Sequence, residues 1–178
     1  MESIIVLGLG NILYGDEGFG VRVAEQLYTR YDFPDNIEII DAGTRGQALL
    51  QYVEKADRLL ILDAVDFNMP PGKIIFKDNS EIPSYLTAHK MSLHQTSFSE
   101  IIGLASLQQL LPKEMVLLGV QPISLEYGTS LSPDVFHLLD KAVELALNQL
   151  LKWNITPQPA VTQKIFQATG ISLSNFNL

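Results

Sequence analysis

The run Ile4-Ile5-Val6-Leu7-Gly8-Leu9-Gly10-Asn11, continuing through Gly15-Asp16-Glu17-Gly18-Phe19-Gly20-Val21, leaves few options for the fold of this chain. Four consecutive aliphatic residues are the pattern of a strand buried on both faces. Glycines follow at 8, 10, 15, 18 and 20, and a helical periodicity begins at Val21. Strand, glycine turn and helix in that order build the first unit of a doubly wound sheet, which presents functional groups at the carboxyl edge of its first strand. This turn presents two adjacent acids, Asp16 and Glu17.

The rest of the chain extends that unit. Residues 3–9 form the first strand, and a helix capped by Asp16 runs to about Arg30, burying Val21, Ala24, Leu27 and Tyr28. Ile37–Asp41 is a second strand, followed by a helix to about Lys55, and Leu59–Asp63 is a third strand ending on an acid. Strands alternating with helices predict right-handed crossovers and a parallel sheet. After the turn Pro70-Pro71-Gly72, residues Lys73–Lys77 alternate polar and apolar, as in a half-exposed antiparallel edge strand. Residues 78–91 read as a long loop. Ser92 and Gln95 form a capping-box pattern opening a helix to about Leu111, where Pro112 stops it. Val116–Val120 is another buried strand, 121–131 a loop, and Ser132-Pro133-Asp134 starts a helix to about Trp153. The expected fold is α/β: a three-layer, twisted, mostly parallel sheet of about five strands, helices on both faces and one antiparallel edge strand. Residues 1–153 form a single domain, and 154–178, rich in Thr, Pro, Gln, Ser and Asn, read as a loosely held tail with one short helix near 161–168.

Composition removes several function classes. The chain has no cysteine, which excludes disulfides, thiolate metal sites and cysteine nucleophiles. It carries 12 Lys+Arg against 20 Asp+Glu, a formal charge of −8, with no basic cluster to bind nucleic acid or an anionic membrane. No apolar run approaches the roughly 20 residues of a membrane span, and the first strand begins too early to leave room for a signal peptide. A soluble, cytoplasmic protein acting as a monomer is expected.

In a sheet of order 2-1-3, the connections after strands one and three leave in opposite directions and open a crevice between them. Glu17 follows strand one and Asp63 ends strand three, so both face that crevice. The chain has three histidines: His137 lies inside a helix, whereas His89 and His94 flank the start of the helix after the long loop. A helix N-terminus favours an ionised Glu17 and disfavours a protonated His94. Two carboxylates and a neutral imidazole are an N/O ligand set for a divalent transition metal, with positions left open for substrate or water. Each residue alone has an ordinary structural explanation, and Asp16 is the natural helix cap. Gly43-Thr44-Arg45-Gly46, after strand two, is either a glycine-rich helix start or a backbone cradle for an extended peptide or anion.

Gly8-Leu9-Gly10-Asn11 with Gly15-Asp16-Glu17-Gly18-Phe19-Gly20, then Asp41-Ala42-Gly43-Thr44, Asp63-Ala64 and His94-Gln95, resembles the nickel-iron hydrogenase maturation endopeptidases over about residues 3–150. The resemblance implies a single cut that removes the C-terminal extension of the hydrogenase large-subunit precursor after nickel insertion. It puts the family's metal-binding positions on Glu17, Asp63 and His94, which engage nickel supplied by the precursor rather than held by the free enzyme. Asp41, Gly43 and Thr44 match the loop linked to recognition near the cleavage point, and Asp16 is a candidate second catalytic acid. Competing readings are a peptidyl-tRNA hydrolase-like protein, which the acidic charge disfavours, and a dinucleotide-binding protein, whose fingerprint would need glycine where Leu13 stands. A non-cleaving, nickel-dependent chaperone would use the same ligands.

Overall fold

A computed structural model describes residues 1–43, 45–79, 81–82 and 93–166, with the backbone alone for 93–97. Strand β1 (Ile4–Leu9) leads through a 3-10 turn at Gly15–Gly18 into helix α1 (Phe19–Arg30). A two-residue strand β2 (Tyr31–Asp32) precedes β3 (Ile37–Gly43), and a second 3-10 turn, Gly46–Leu49, opens α2 (Leu50–Lys55). Then come β4 (Arg58–Ala64), β5 (Ile74–Asp78), α3 (Leu93–Leu107) and β6 (Glu114–Val120). Helices α4 (Pro133–His137) and α5 (Leu139–Lys152) and strand β7 (Gln158–Pro159) complete the described chain.

The main sheet has five strands in the order β3-β1-β4-β6-β5. β1, β3, β4 and β6 are parallel, and β5 joins β6 antiparallel at one edge. The α/β layering, the 2-1-3 core and the antiparallel edge strand are those expected from the sequence. Strand periodicity divides the core: Ile4, Val6, Leu60, Leu62, Val116 and Leu118 face α1 and α5, while Ile5, Leu7, Leu59, Ile61 and Leu117 face α2 and α3. Each such aliphatic side chain, fully withdrawn from water, stabilises the fold by about 1.5–3 kcal/mol before entropy is counted. Among the described residues no helix is long and apolar enough to cross a membrane.

Helix boundaries differ from expectation where local hydrogen bonds outrank sequence cues. Asp16 caps nothing: the residue before α1 is Gly18, and the acid sits inside the preceding 3-10 turn. α3 stops at Leu107, before Pro112, because Gln109 adopts φ 60° and the Leu110 and Gln109 amides donate to the Ala105 and Ser106 carbonyls at 2.8 and 3.1 Å. That is a Schellman ending, built here on a glutamine rather than a glycine. Asn154, at φ 63°, ends α5 in the same way, its amide bonding Leu151 and that of Ile155 bonding Leu150. The helix expected from Ser132 to Trp153 is divided at Leu138 into α4 and α5.

The segment after Trp153, expected to hang loosely, is pinned at least to Phe166. β7 pairs antiparallel with β2, and the Ala160 amide donates to the Arg30 carbonyl at 2.9 Å. Lys164 bonds the Asp32 carboxylate at 2.9 Å and the Tyr31 carbonyl, and lies 4.9 Å over the Tyr28 ring. Phe166 packs at 5.3 Å against the same ring. Residues 161–166 form no helix; 167–178 lie outside the described residues.

Candidate active site at the carboxyl edge

Glu17 and Asp63, expected at the crevice, and Asp41, expected in the recognition loop, all lie at the carboxyl ends of parallel strands. Glu17 lies in the turn after β1, Asp63 near the end of β4, and Asp41 near the end of β3. All three are nearly buried, at 6%, 0% and 6% exposure. The Glu17 turn packs directly on β4. Gly20 makes that approach possible, since a Cβ there would stand 2.0 Å from the Leu62 carbonyl oxygen and 2.5 Å from that of Leu9. Only a residue without a side chain lets α1 begin against two strand ends at once. The turn bearing Glu17 and the strand end bearing Asp63 are thereby held together.

Asp63 accepts the Ala64 amide at 2.8 Å through Oδ1. On the other side of β1, Asp41 pairs in register with Gly8, and the next pair is Leu9 with Gly43, so Ala42 is an extra residue at the strand end. Gly43 takes φ 49°, and its carbonyl accepts the Gly10 amide at 3.2 Å. Irregular strand ends of this kind re-aim neighbouring side chains and are frequent beside active sites. Thr44 lies outside the described residues.

His94 falls in the first turn of α3. α3 packs on the 3-10 turn that follows β3, and it leads down to the start of β6, so its N-terminal end belongs to the carboxyl edge. The imidazole lies outside the described residues, as does His89. Among the described residues no three His, Asp or Glu side chains form a metal-binding group. His137 closes α4.

Asp16 does something the sequence did not suggest. It is completely buried, and its carboxylate accepts the amides of Ile123 and Ser124 at 2.9 Å each and both the amide and hydroxyl of Ser132 at 2.7 and 2.8 Å. Backbone bonds from Gly15 to Gly128, Asp16 to Ser124 and Gly128 to Leu13 close the same junction. The loop at 121–132 is therefore fastened to the turn that carries Glu17. A second fastener is Gln121, whose Oε1 accepts the amides of Phe67 and Met69 at 2.7 and 3.3 Å and whose Nε2 donates to Asp66 at 3.1 Å. It ties the segment after Asp63 to the end of β6. A glutamine directly after a buried strand, with no helix to cap, was its only sequence signal.

The hydrogenase maturation protease family model matches residues 21–149. The chain is 46% identical over 182 residues to the hydrogenase expression/formation protein HupD of Bradyrhizobium diazoefficiens, covering 99% of this chain and 95% of that one. It belongs to the hydrogenase maturation protease family. Among solved structures, the hydrogenase maturating endopeptidase HybD of E. coli superposes with a TM-score of 0.84 at 37% identity, over 88% of this chain and 97% of that one. The [NiFe] hydrogenase maturation protease HybD of Thermococcus kodakarensis matches with a TM-score of 0.67 at 25% identity, over 83% and 98%. This maturation protease is a peptide-bond hydrolase on the mostly parallel, five-stranded fold of those endopeptidases.

Proposed function

We propose that this maturation protease removes the C-terminal extension of a nickel-iron hydrogenase large-subunit precursor once nickel has been inserted, and that the nickel acts as its recognition element. The observation that carries this is the packing of the Glu17 turn against the end of β4, which puts two buried carboxylate residues at one edge of the sheet. Nickel here belongs to the substrate. Carboxylate and imidazole donors suit a divalent transition ion, and Glu17, Asp63 and His94 would complete its coordination. Bound there, the ion supplies Lewis acidity toward the scissile carbonyl.

The protein's own residues then orient the chain end. Hydrolysis adds a water oxygen to the carbonyl carbon, breaks the C–N bond, and transfers the proton given up by the water to the departing amine. Asp41, Gly43 and Thr44 hold the substrate near the cleavage point. Asp16 acts as a positioning residue, because its carboxylate is held by four donors of the 121–132 loop. The protein works in the cytoplasm as a monomer, which cell fractionation and light scattering check.

The test is incubation with nickel-loaded and nickel-free precursor, followed by intact-mass measurement. Loss of a C-terminal peptide from the loaded form alone is the expected result. Equal cutting of both forms would remove nickel from the proposal, and binding without any mass change would replace the protease by a chaperone.

A further inference from the structure

Among the described residues β3 is an edge strand, with β1 as its only strand neighbour in the sheet. Along its open side runs a groove of about 410 Å³, floored by Glu38, Ile39, Ile40 and Asp41. Tyr28 from α1 and Tyr52 from α2 flank it on opposite faces of the sheet, and Ile165 and Phe166 close it from the tail. Glu38 is bonded to Lys55, which leaves the floor mainly aliphatic up to Asp41.

Deepening the function proposed above, on which it rests, we infer that this groove takes the substrate's own chain as an added strand. An open strand edge offers main-chain donors and acceptors to an extended peptide, and flanking pockets select alternate side chains. Four residues at about 3.3 Å each give an edge near 13 Å long, enough for three or four peptide residues. The walls choose the chemistry: two tyrosines and two isoleucines fit aliphatic or aromatic side chains. The tail's Ile165 and Phe166, seated at the same place, are of that chemistry.

The groove is continuous with the candidate active site through Asp41, which belongs to both. Gly8 of β1 pairs with Asp41 on one side and with Leu62, the neighbour of Asp63, on the other. Two interstrand spacings of about 4.8 Å put roughly 10 Å between the groove's upper end and the β4 terminus. Substrate residues in the groove therefore lie about three positions or more from the scissile bond. Cleavage chemistry and side-chain selection are spatially separate.

Tyr52→Ala and Phe166→Ala, each confirmed folded by its circular dichroism and melting temperature, are assayed on loaded full-length precursor and on a series with progressively shortened extensions. The expected result is a KM about tenfold higher on the full substrate with kcat unchanged. The difference should vanish once the substrate is too short to reach the groove. Hydrogen exchange at residues 38–41 should slow in a complex of the Glu17→Gln protein with full-length precursor. Equal KM values, an effect independent of substrate length, or unchanged exchange would overturn the groove while leaving the protease intact. Absence of cutting by the unaltered protein would remove the assigned function and this inference with it.

Discussion

Asp16 grips Ser132 twice, its Oδ1 taking the Ser132 amide at 2.7 Å and its Oδ2 the hydroxyl at 2.8 Å. The residue beside Glu17 is thus fastened to the start of the last helical stretch, 116 positions away in the chain. A buried carboxylate with four donors exchanges its water shell for fixed N–H and O–H groups, so losing it strands several donors at once.

Asp16→Ala should therefore lower stability by about 3–5 kcal/mol, with Ser132→Ala costing about 1 kcal/mol. Urea denaturation checks both. If Asp16→Ala unfolds with an unchanged midpoint, the fastening has no energetic weight.

Glu17→Gln, Asp63→Asn and His94→Ala should each reduce precursor processing by about a hundredfold or more, since removing even a supporting group around a metal costs 10–100-fold. For Glu17→Gln the melting temperature should stay near that of the parent. Mass spectrometry of the precursor over time reads the rate, and full-rate processing by any one variant would take that residue out of the site.

Glycine substitutions should separate the two sheet faces. Gly20→Ala drives a methyl to 2.0 Å from the Leu62 carbonyl, and it should destabilise by about 3 kcal/mol or more because backbone atoms on both sides cannot yield. Gly103→Ala, in the middle of α3 with nothing within 4 Å of the new atom, should stabilise by about 0.5–1 kcal/mol through helix propensity. Opposite shifts in thermal midpoint are the measurement.

The Lys164 hydrogen bond, helped by the Val161 amide, holds the Asp32 carboxyl below its ordinary value of 3.8. A lowered folded pKa contributes stability that is complete above the unfolded value and fades as pH falls through the folded one. The β2–β7 junction should stay unchanged across neutral and mildly acid pH and loosen only in strong acid, below 3.8. Because the pair is exposed, the effect is local and small. The Val161 amide chemical shift against pH reads it; loosening near neutrality would assign the junction to another group.

Local pattern was enough for the skeleton. The aliphatic run at 4–7, the acid-tipped strand at 59–63 and the apolar spacing of Val143, Ala146 and Leu150 each bury one face, and period alone dictates strand or helix. Gly20 was visible as a glycine, and the β-α-β order implied the carboxyl edge at which the Glu17 turn and the Asp63 strand end stand. Hidden from view were choices made between distant partners. Asp16 before a helical stretch reads as a cap, because the chain nearby shows only that helix; in the fold, Ile123, Ser124 and Ser132 arrive with donors of their own. Gln109 carries no mark of a helix end, and its left-handed turn follows from the carbonyls left waiting at Ala105 and Ser106. The polar stretch after Trp153 looks too weak to dock, until β2 offers two residues of strand edge and Asp32 a carboxylate. Sequence periodicity determines which side of each element avoids water. Which loop donors, strand edges and ion pairs then find each other depends on the order in which the layers stack, and only the tertiary structure decided that.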